Sequence, residues 1–191
     1  MDKKEVIEVL RKCGAILDGH FELRSGLHSD CYFQCANVLR YPVAAGRLCE
    51  ALVMKMRAEM KSRLKVDSVI APAMGGIIVG HEIARVLNVR SIFAEKQEGK
   101  LVLRRFEIGK KEKFIVAEDV ITRGGRVQET IDIVKNNGGE IVAVAVLVDR
   151  SGGKAVFDYP TFNLLEMEPV TWAPEKCPLC QKGSKPVHPG S

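Results

Sequence analysis

The sequence predicts an α/β fold, a parallel sheet flanked by helices. Two observations carry that prediction. Short β-prone apolar runs alternate along the chain with longer segments of helical period. Three glycine-bearing loops, 72–76, 118–126 and 149–153, follow three of those runs directly. Sheets of this class bind ligands beyond the carboxyl ends of their strands, where such loops sit.

Taken in order, residues 3–12 read as a short helix, and Phe21 to Phe33 as an irregular hairpin with Ser25-Gly26 at its turn. Pro42 opens a long helix to about Leu64, because proline suits a first helical turn and Leu48, Leu52 and Met56 then recur once per turn. Residues 66–71 form a strand ending at Pro72. The turn Ala73-Met-Gly-Gly76 leads to a helix ending at Leu87, with Val79, Ile83, Val86 and Leu87 on one face. A strand at 91–95 precedes a turn at 97–100 and a hairpin arm at 101–106. The run Phe114-Ile-Val-Ala117 is a buried strand, and Val127, Ile131 and Val134 mark one face of the helix after it. A last strand, 141–148, ends in Asp149-Arg-Ser-Gly-Gly153. From residue 154 six prolines break the pattern into a loop-rich cap.

Composition narrows the function classes. A chain of 191 residues, 46% apolar, holds one domain or one domain with an appendage. Its charge of +5 is scattered, with no basic stripe interleaved with aromatics, so no nucleic-acid partner is expected. The N-terminal segment is amphipathic rather than a signal peptide, and the longest apolar run, Ile141 to Val148, is far shorter than the ~20 residues that span a bilayer. A soluble, cytoplasmic protein with no membrane partner is expected. Six cysteines, unevenly spaced, read as reduced thiols, with Cys31, Cys35 and Cys49 in the core.

Residues 114–127 carry the chemistry. A buried strand leads into Glu118 and Asp119; a turn with Thr122 and Gly124-Gly125 then opens a helix. The first N–H groups of a helix lack internal partners and its dipole favours anions, while glycine lets backbone approach a ligand closely. This combination predicts a phosphate cradle with two carboxylates at its mouth. Carboxylates repel phosphate, so their task is to bind sugar hydroxyls or a magnesium ion. The chain lacks Gly-x-x-x-x-Gly-Lys-Ser/Thr, so nucleoside triphosphate hydrolysis is not indicated.

An acidic pair followed by Thr-x-Gly-Gly at a strand–helix junction resembles the type I phosphoribosyltransferases. The stretch Phe21-Glu-Leu-Arg-Ser-Gly-Leu-His-Ser-Asp-Cys-Tyr-Phe33 resembles the N-terminal hood motif of the orotate phosphoribosyltransferase family. The order of motifs matches too, and the resemblance covers roughly residues 3–165. Asp149-Arg-Ser-Gly-Gly153 and the Cys-Pro-Leu-Cys tail look like one bacterial and archaeal branch of it. The resemblance implies the type I phosphoribosyltransferase fold: an N-terminal helix and hood at 1–40, a phosphoribosyltransferase core at 41–153, and a C-terminal hood or tail at 154–191. It implies transfer of a phosphoribosyl group from phosphoribosyl pyrophosphate to orotate, with Mg2+, in a homodimer. Alternatives are transfer to another base, or a regulator that senses phosphoribosyl pyrophosphate without turnover.

The resemblance also implies roles. Glu118 and Asp119 would hold the ribose hydroxyls, with Asp119 catalytic. Val120, Ile121, Thr122, Arg123, Gly124, Gly125 and Arg126 would line the 5′-phosphate site, and Thr122 would also touch the orotate carboxylate. Arg150 would face the orotate ring, with Tyr32 and Phe33 walling the base pocket. Ala73, Met74, Gly75 and Gly76 would wrap the pyrophosphate, helped by Arg24. Loop 95–106 would close over the site, reaching the neighbouring subunit, with Lys96 catalytic. The chain departs from the family pattern in places. Glu95 stands where an arginine is usual, Lys100 replaces a second lysine, the loop histidine is absent, and Arg104 and Arg105 offer charge instead. Thr122-Arg-Gly-Gly-Arg126 replaces Thr-Thr-Gly-Gly-Ser, and Gly75 stands where many members carry lysine.

Cys177-Pro-Leu-Cys180 has the spacing of a zinc knuckle or a redox pair. Zinc would need further ligands, with His188 the candidate third and a fourth from elsewhere or from a second subunit. Simple packing of the two thiols is the alternative. His20 and His28 read as structural or substrate-lining.

Overall fold

In a computed structural model, residues 1–23 and 25–189 are described. Along the chain run α1 (Lys3–Lys12), β1 (Ile16–Glu22), β2 (His28–Phe33), α2 (Ala36–Leu39), α3 (Pro42–Met60), β3 (Ser68–Pro72), α4 (Gly75–Leu87), β4 (Arg90–Gln97), β5 (Lys100–Val102), β6 (Lys113–Ile121), α5 (Gly125–Asn136), β7 (Glu140–Asp149), β8 (Thr161–Glu166), β9 (Thr171–Trp172) and α6 (Pro178–Gln181). The larger sheet has the order β5-β4-β3-β6-β7-β8. Its strands are parallel except β5, which folds back on β4. A smaller antiparallel sheet, β1-β2-β9, forms the hood.

The strands of the larger sheet are apolar on both sides because helices cover both faces. Val69, Ala71, Ile115, Ala117, Ala143, Ala145 and Leu147 point into one cluster with α1, α3 and α4 residues. Their neighbours Ile70, Phe114, Val116, Val144 and Val146 point the other way, against Val127, Ile131 and Val134 of α5. The two-residue period of a strand thus sorts one continuous apolar run into two cores. α1 starts on a capping box, with Asp2 accepting from the Glu5 N–H and the Glu5 carboxylate accepting from the Asp2 N–H.

The predicted helices and strands are present, with shifts at their ends. β1 begins at Ile16 rather than Phe21, and α2 is an additional short helix. The long helix ends at Met60, followed by a 3-10 turn over Lys61–Arg63. The hairpin arm is only Lys100–Val102. The cap is the larger departure: Thr161–Glu166 is no loop but a sixth strand, parallel to β7. Phe162 and Leu165 are its buried residues, too few to show a strand period between prolines. No helix among the described residues is long and apolar enough to cross a membrane.

Candidate functional site

β3, β6 and β7 deliver their carboxyl ends to one edge, and the three glycine loops gather there. β6 runs on through Glu118 and Asp119 to Ile121, so the acidic pair lies inside the strand rather than at its end. Gly124, in the left-handed region at φ +79°, then turns the chain into α5. No side chain among the described residues caps that helix, so the first N–H groups of α5 stay directed at a pocket of about 280 Å³. Glu118, Val120, Ile121, Thr122, Arg123, Gly124, Gly125 and Arg126 line it, together with Val127 and Glu129. All the residues predicted for the phosphate loop meet there except Asp119. Glu129 was not predicted. Its signal is modest: it lies one turn beyond Gly125, on the same face of α5.

The carboxylates are held unfavourably. Glu118 is buried, and burial, reinforced by the neighbouring Asp119 charge, pushes its carboxyl up to about 9. Arg126 pulls weakly in the opposite direction. Burial raises Asp119 as well, opposed by hydrogen bonds to its carboxylate. The Asp119 N–H donates to Glu118 Oε1 at 3.1 Å, and the Val120 N–H to Asp119 Oδ1 at 2.8 Å. A cation or a set of hydroxyl donors arriving here would restore the charged forms.

The 72–76 loop meets this pair from the next strand. The Ala73–Met74 peptide is cis, and Met74 is almost fully exposed. A Cβ on Gly75 would stand 2.5 Å from Asp119 Oδ2, and one on Gly76 would stand 2.9 Å from Glu118 Oε1. Glycine at both positions therefore lets the uncapped start of α4 abut the carboxylates. The lysine common in the resembling family would collide with Asp119 in this arrangement.

Arg150 follows β7, and its N–H donates to the Ile121 carbonyl, which ties the 149–153 loop to the end of β6. Its guanidinium lies over the Phe33 ring, 5.7 Å from the centroid. Its Nε is buried with no hydrogen-bond partner among the described residues. Burial lowers the arginine's pKa. An orphaned donor of this kind is costly unless a ligand completes it. Tyr32 packs instead on Phe21, with ring centroids 5.6 Å apart.

Loop 95–106 contributes no lining residue to this pocket, although the Leu101 N–H donates to Glu129 Oε2 at 3.4 Å. Lys96 is exposed at the β4–β5 hairpin, opposite Leu101, and does not line the phosphate pocket. Arg105 is not free charge, because its Nε donates to Glu95 Oε2 at 2.8 Å. Arg24 lies outside the described residues.

The Cys177–Cys180 pair lies against the hood strands and does not line the phosphate pocket. His188 is not with it: its Nδ1 lies 3.1 Å from the Glu22 carbonyl oxygen. His20 and His28 are there instead. No sequence spacing links those histidines to a pair at the other end of the chain, since Cys180 and His28 are separated by 152 positions.

Residues 43–181 match the phosphoribosyl transferase domain family. The chain is 49% identical over its whole length to an orotate phosphoribosyltransferase of Desulforamulus reducens, covering 98% of that protein. It is 51% identical over 93% of its length to one from Carboxydothermus hydrogenoformans, of which 92% is covered. Among solved structures it resembles the orotate phosphoribosyltransferase of Aeropyrum pernix, with a TM-score of 0.68 at 25% identity, over 85% of this chain and 93% of that one.

Proposed function

From its membership of the orotate phosphoribosyltransferase family, to which this chain belongs, we propose that it transfers the phosphoribosyl group of phosphoribosyl pyrophosphate to orotate, yielding orotidine 5′-monophosphate and pyrophosphate. The observation that carries this reading is the pairing of two incomplete sites on one sheet edge. One is an uncapped helix start beside buried carboxylates. The other is a guanidinium with an orphaned Nε, lying over an aromatic ring. The first suits a phosphorylated ribose; the second suits a planar anionic base.

In this reading the N–H groups of residues 122–126 bind the 5′-phosphate, assisted by Arg123 and Arg126, which stand where the family usually has a smaller hydroxyl residue. Glu118 and Asp119 orient the ribose hydroxyls. Arg150 stacks near the base and donates to its polar edge, with Thr122 at the orotate carboxylate. Residues 73–76 receive the pyrophosphate along their backbone. Magnesium fits this donor set, because adjacent carboxylates beside a phosphate site offer the oxygen ligands it takes, and when bound it neutralises charge on the leaving pyrophosphate.

Displacing pyrophosphate from C1 builds positive charge on the ribose and negative charge on the leaving group. No covalent nucleophile is needed. The residues act by positioning and by electrostatic stabilisation. Lys96 then supplies a mobile cation from the 95–106 hairpin, acting in a homodimer on the neighbouring subunit's site. Its exposure away from its own chain's phosphate pocket supports that arrangement. The setting is the cytoplasm.

The test is the loss of orotate absorbance with phosphoribosyl pyrophosphate and magnesium, run beside adenine, guanine, hypoxanthine and uracil. Magnesium-dependent loss of orotate alone is expected. Turnover of another base, or tight binding of phosphoribosyl pyrophosphate without turnover, would overturn the reading.

A further inference from the structure

The hood contains four side chains that the reaction does not use. His20, His28, Cys177 and Cys180 each turn one ligand-type atom toward a common point, and those atoms all lie within 4.8 Å of one another. His20 Nε2 lies 3.1 Å from His28 Nδ1, 3.4 Å from Cys177 Sγ and 3.7 Å from Cys180 Sγ. Cys180 Sγ lies 3.3 Å from His28 Nδ1. Three groups therefore crowd a single imidazole nitrogen that carries at most one proton. Hydrogen bonding cannot satisfy that arrangement.

A central cation can. With Zn–N near 2.0–2.1 Å and Zn–S near 2.3 Å, tetrahedral ligation separates two nitrogens by about 3.3 Å and a nitrogen from a sulfur by about 3.6 Å. The three nitrogen–sulfur separations, 3.3, 3.4 and 3.7 Å, bracket the second value, and the nitrogen–nitrogen separation, 3.1 Å, falls slightly short of the first. We propose that His20, His28, Cys177 and Cys180 form a structural zinc site that pins the C-terminal tail to the hood. Two neutral imidazoles and two thiolates give a neutral complex with Zn2+, and binding releases the thiol protons. Four protein ligands leave no open position, which marks a structural rather than a catalytic metal.

The surroundings fit that role. The other ring nitrogen of His20 lies 3.1 Å from Ser184 Oγ. With the proton on Nδ1, donated to that hydroxyl, the Nε2 lone pair points into the cluster, as a ligating histidine requires. His20 and His28 are buried and come from paired strands of one hairpin. Cys177 precedes α6 and Cys180 lies within it.

The tail also needs an anchor. Among the described residues after Leu165, only Cys177 is buried. Polar contacts also hold the segment: Thr171 and Trp172 pair with β2, the Ser29 hydroxyl donates to the Val170 carbonyl, the Met167 N–H to the Asp149 carbonyl, the Glu22 N–H to the Val187 carbonyl, and the Val187 N–H to the His20 carbonyl. A segment with so little apolar burial gains its fixed position from a metal more than from packing. His20 lies on β1 and His28 on β2, so the same ion also ties these two paired strands together.

The site is tested on the full chain, without an affinity tag that binds metal. Elemental analysis of the protein as purified should find about one zinc per chain. Chelator-stripped protein should take zinc back with a Kd tighter than about 10 nM, in competition with a chromophoric chelator. Cobalt in its place should give the visible bands of a tetrahedral ion together with thiolate-to-cobalt charge transfer. Cys177→Ser with Cys180→Ser should abolish uptake, whereas His188→Ala should leave it unchanged. Trypsin should cut the tail after Lys182 about tenfold faster in stripped protein than in zinc-loaded protein. Cobalt and zinc titrations of the native chain stand even if the double variant does not fold. A native chain that neither carries nor takes up zinc would overturn the proposal. So would octahedral cobalt bands, or an intact mass lower by the two thiol hydrogens, which would mean a disulfide.

Discussion

The mouth of the sheet and the hood cluster both concentrate polar side chains, but they leave those groups in opposite conditions. At the mouth, charges face like charges or nothing. Glu118 sits against Asp119, and among the described residues Arg150 Nε has no partner and no side chain caps the start of α5. In the hood, four donor atoms face one another at close range. The first region is complete only when a substrate arrives and must release it again. The second is completed by an ion that stays. Stability and function should therefore separate: changes at the mouth should cost turnover with little loss of fold, and changes in the hood should loosen the tail.

The sharpest way to break that contrast is Asp119→Asn. It removes charge from the mouth without changing shape. Turnover of orotate should fall about 10²–10³-fold, while the ligand-free melting temperature stays level or rises, because one of two repelling carboxylates is gone. A large drop in melting temperature with turnover intact would make the pair a structural element like the hood. Arg150→Ala should come next. It should raise the KM for orotate about 10–100-fold and leave the binding of phosphoribosyl pyrophosphate nearly unchanged. Equal losses for both substrates would mean that Arg150 shapes the whole edge rather than the base pocket.

The two regions also differ in how far they can be read from the chain. The phosphate loop is contiguous: Glu118 to Arg126 follow one another, and the strand, glycine turn and helix around them leave periodic signals. The hood cluster is not. His20 and His28 are eight positions apart on an irregular hairpin, and their partners arrive from the other end of the chain. Only the Cys-Pro-Leu-Cys spacing was visible, and it pointed to His188, the histidine nearest in sequence. Topology, not spacing, chose the ligands. β8 was missed for a related reason. Its pairing with β7 depends on two buried side chains, Phe162 and Leu165, and not on a pattern that a six-residue segment can display.

A smaller effect is expected at the β4–β5 hairpin. Lys96→Ala should lower kcat about tenfold with little change in orotate KM, since the side chain is exposed and lies outside the phosphate pocket. Mixing this variant with an Asp119→Asn protein tests the shared site: heterodimers should recover part of the activity if Lys96 serves the neighbouring chain. Unchanged kcat in Lys96→Ala would reduce residues 95–106 to a surface hairpin, and no recovery on mixing would confine each lysine to its own subunit.

The smallest effect is a pH dependence that the mouth alone should generate. Glu118 titrates near 9 in the folded chain, first because it is buried and then because Asp119 lies beside it, whereas an unfolded carboxyl titrates near 4.5. Between those values the folded chain holds a proton that the unfolded chain has released. Stability contributed by this group is therefore greatest below pH 4.5 and falls as pH rises toward 9. Asp119, raised in the same direction, adds to the slope. Between about pH 6 and pH 8.5 the ligand-free melting temperature should drop by about 5 °C through this pair, and Glu118→Gln, which mimics the neutral acid, should remove most of that drop. Magnesium with pyrophosphate should act in the opposite sense. It favours the ionised carboxylates, so the stabilisation it confers should grow over the same range. If the slope persists in Glu118→Gln, the mouth is not the strained region, and the contrast with the hood fails at its electrostatic root.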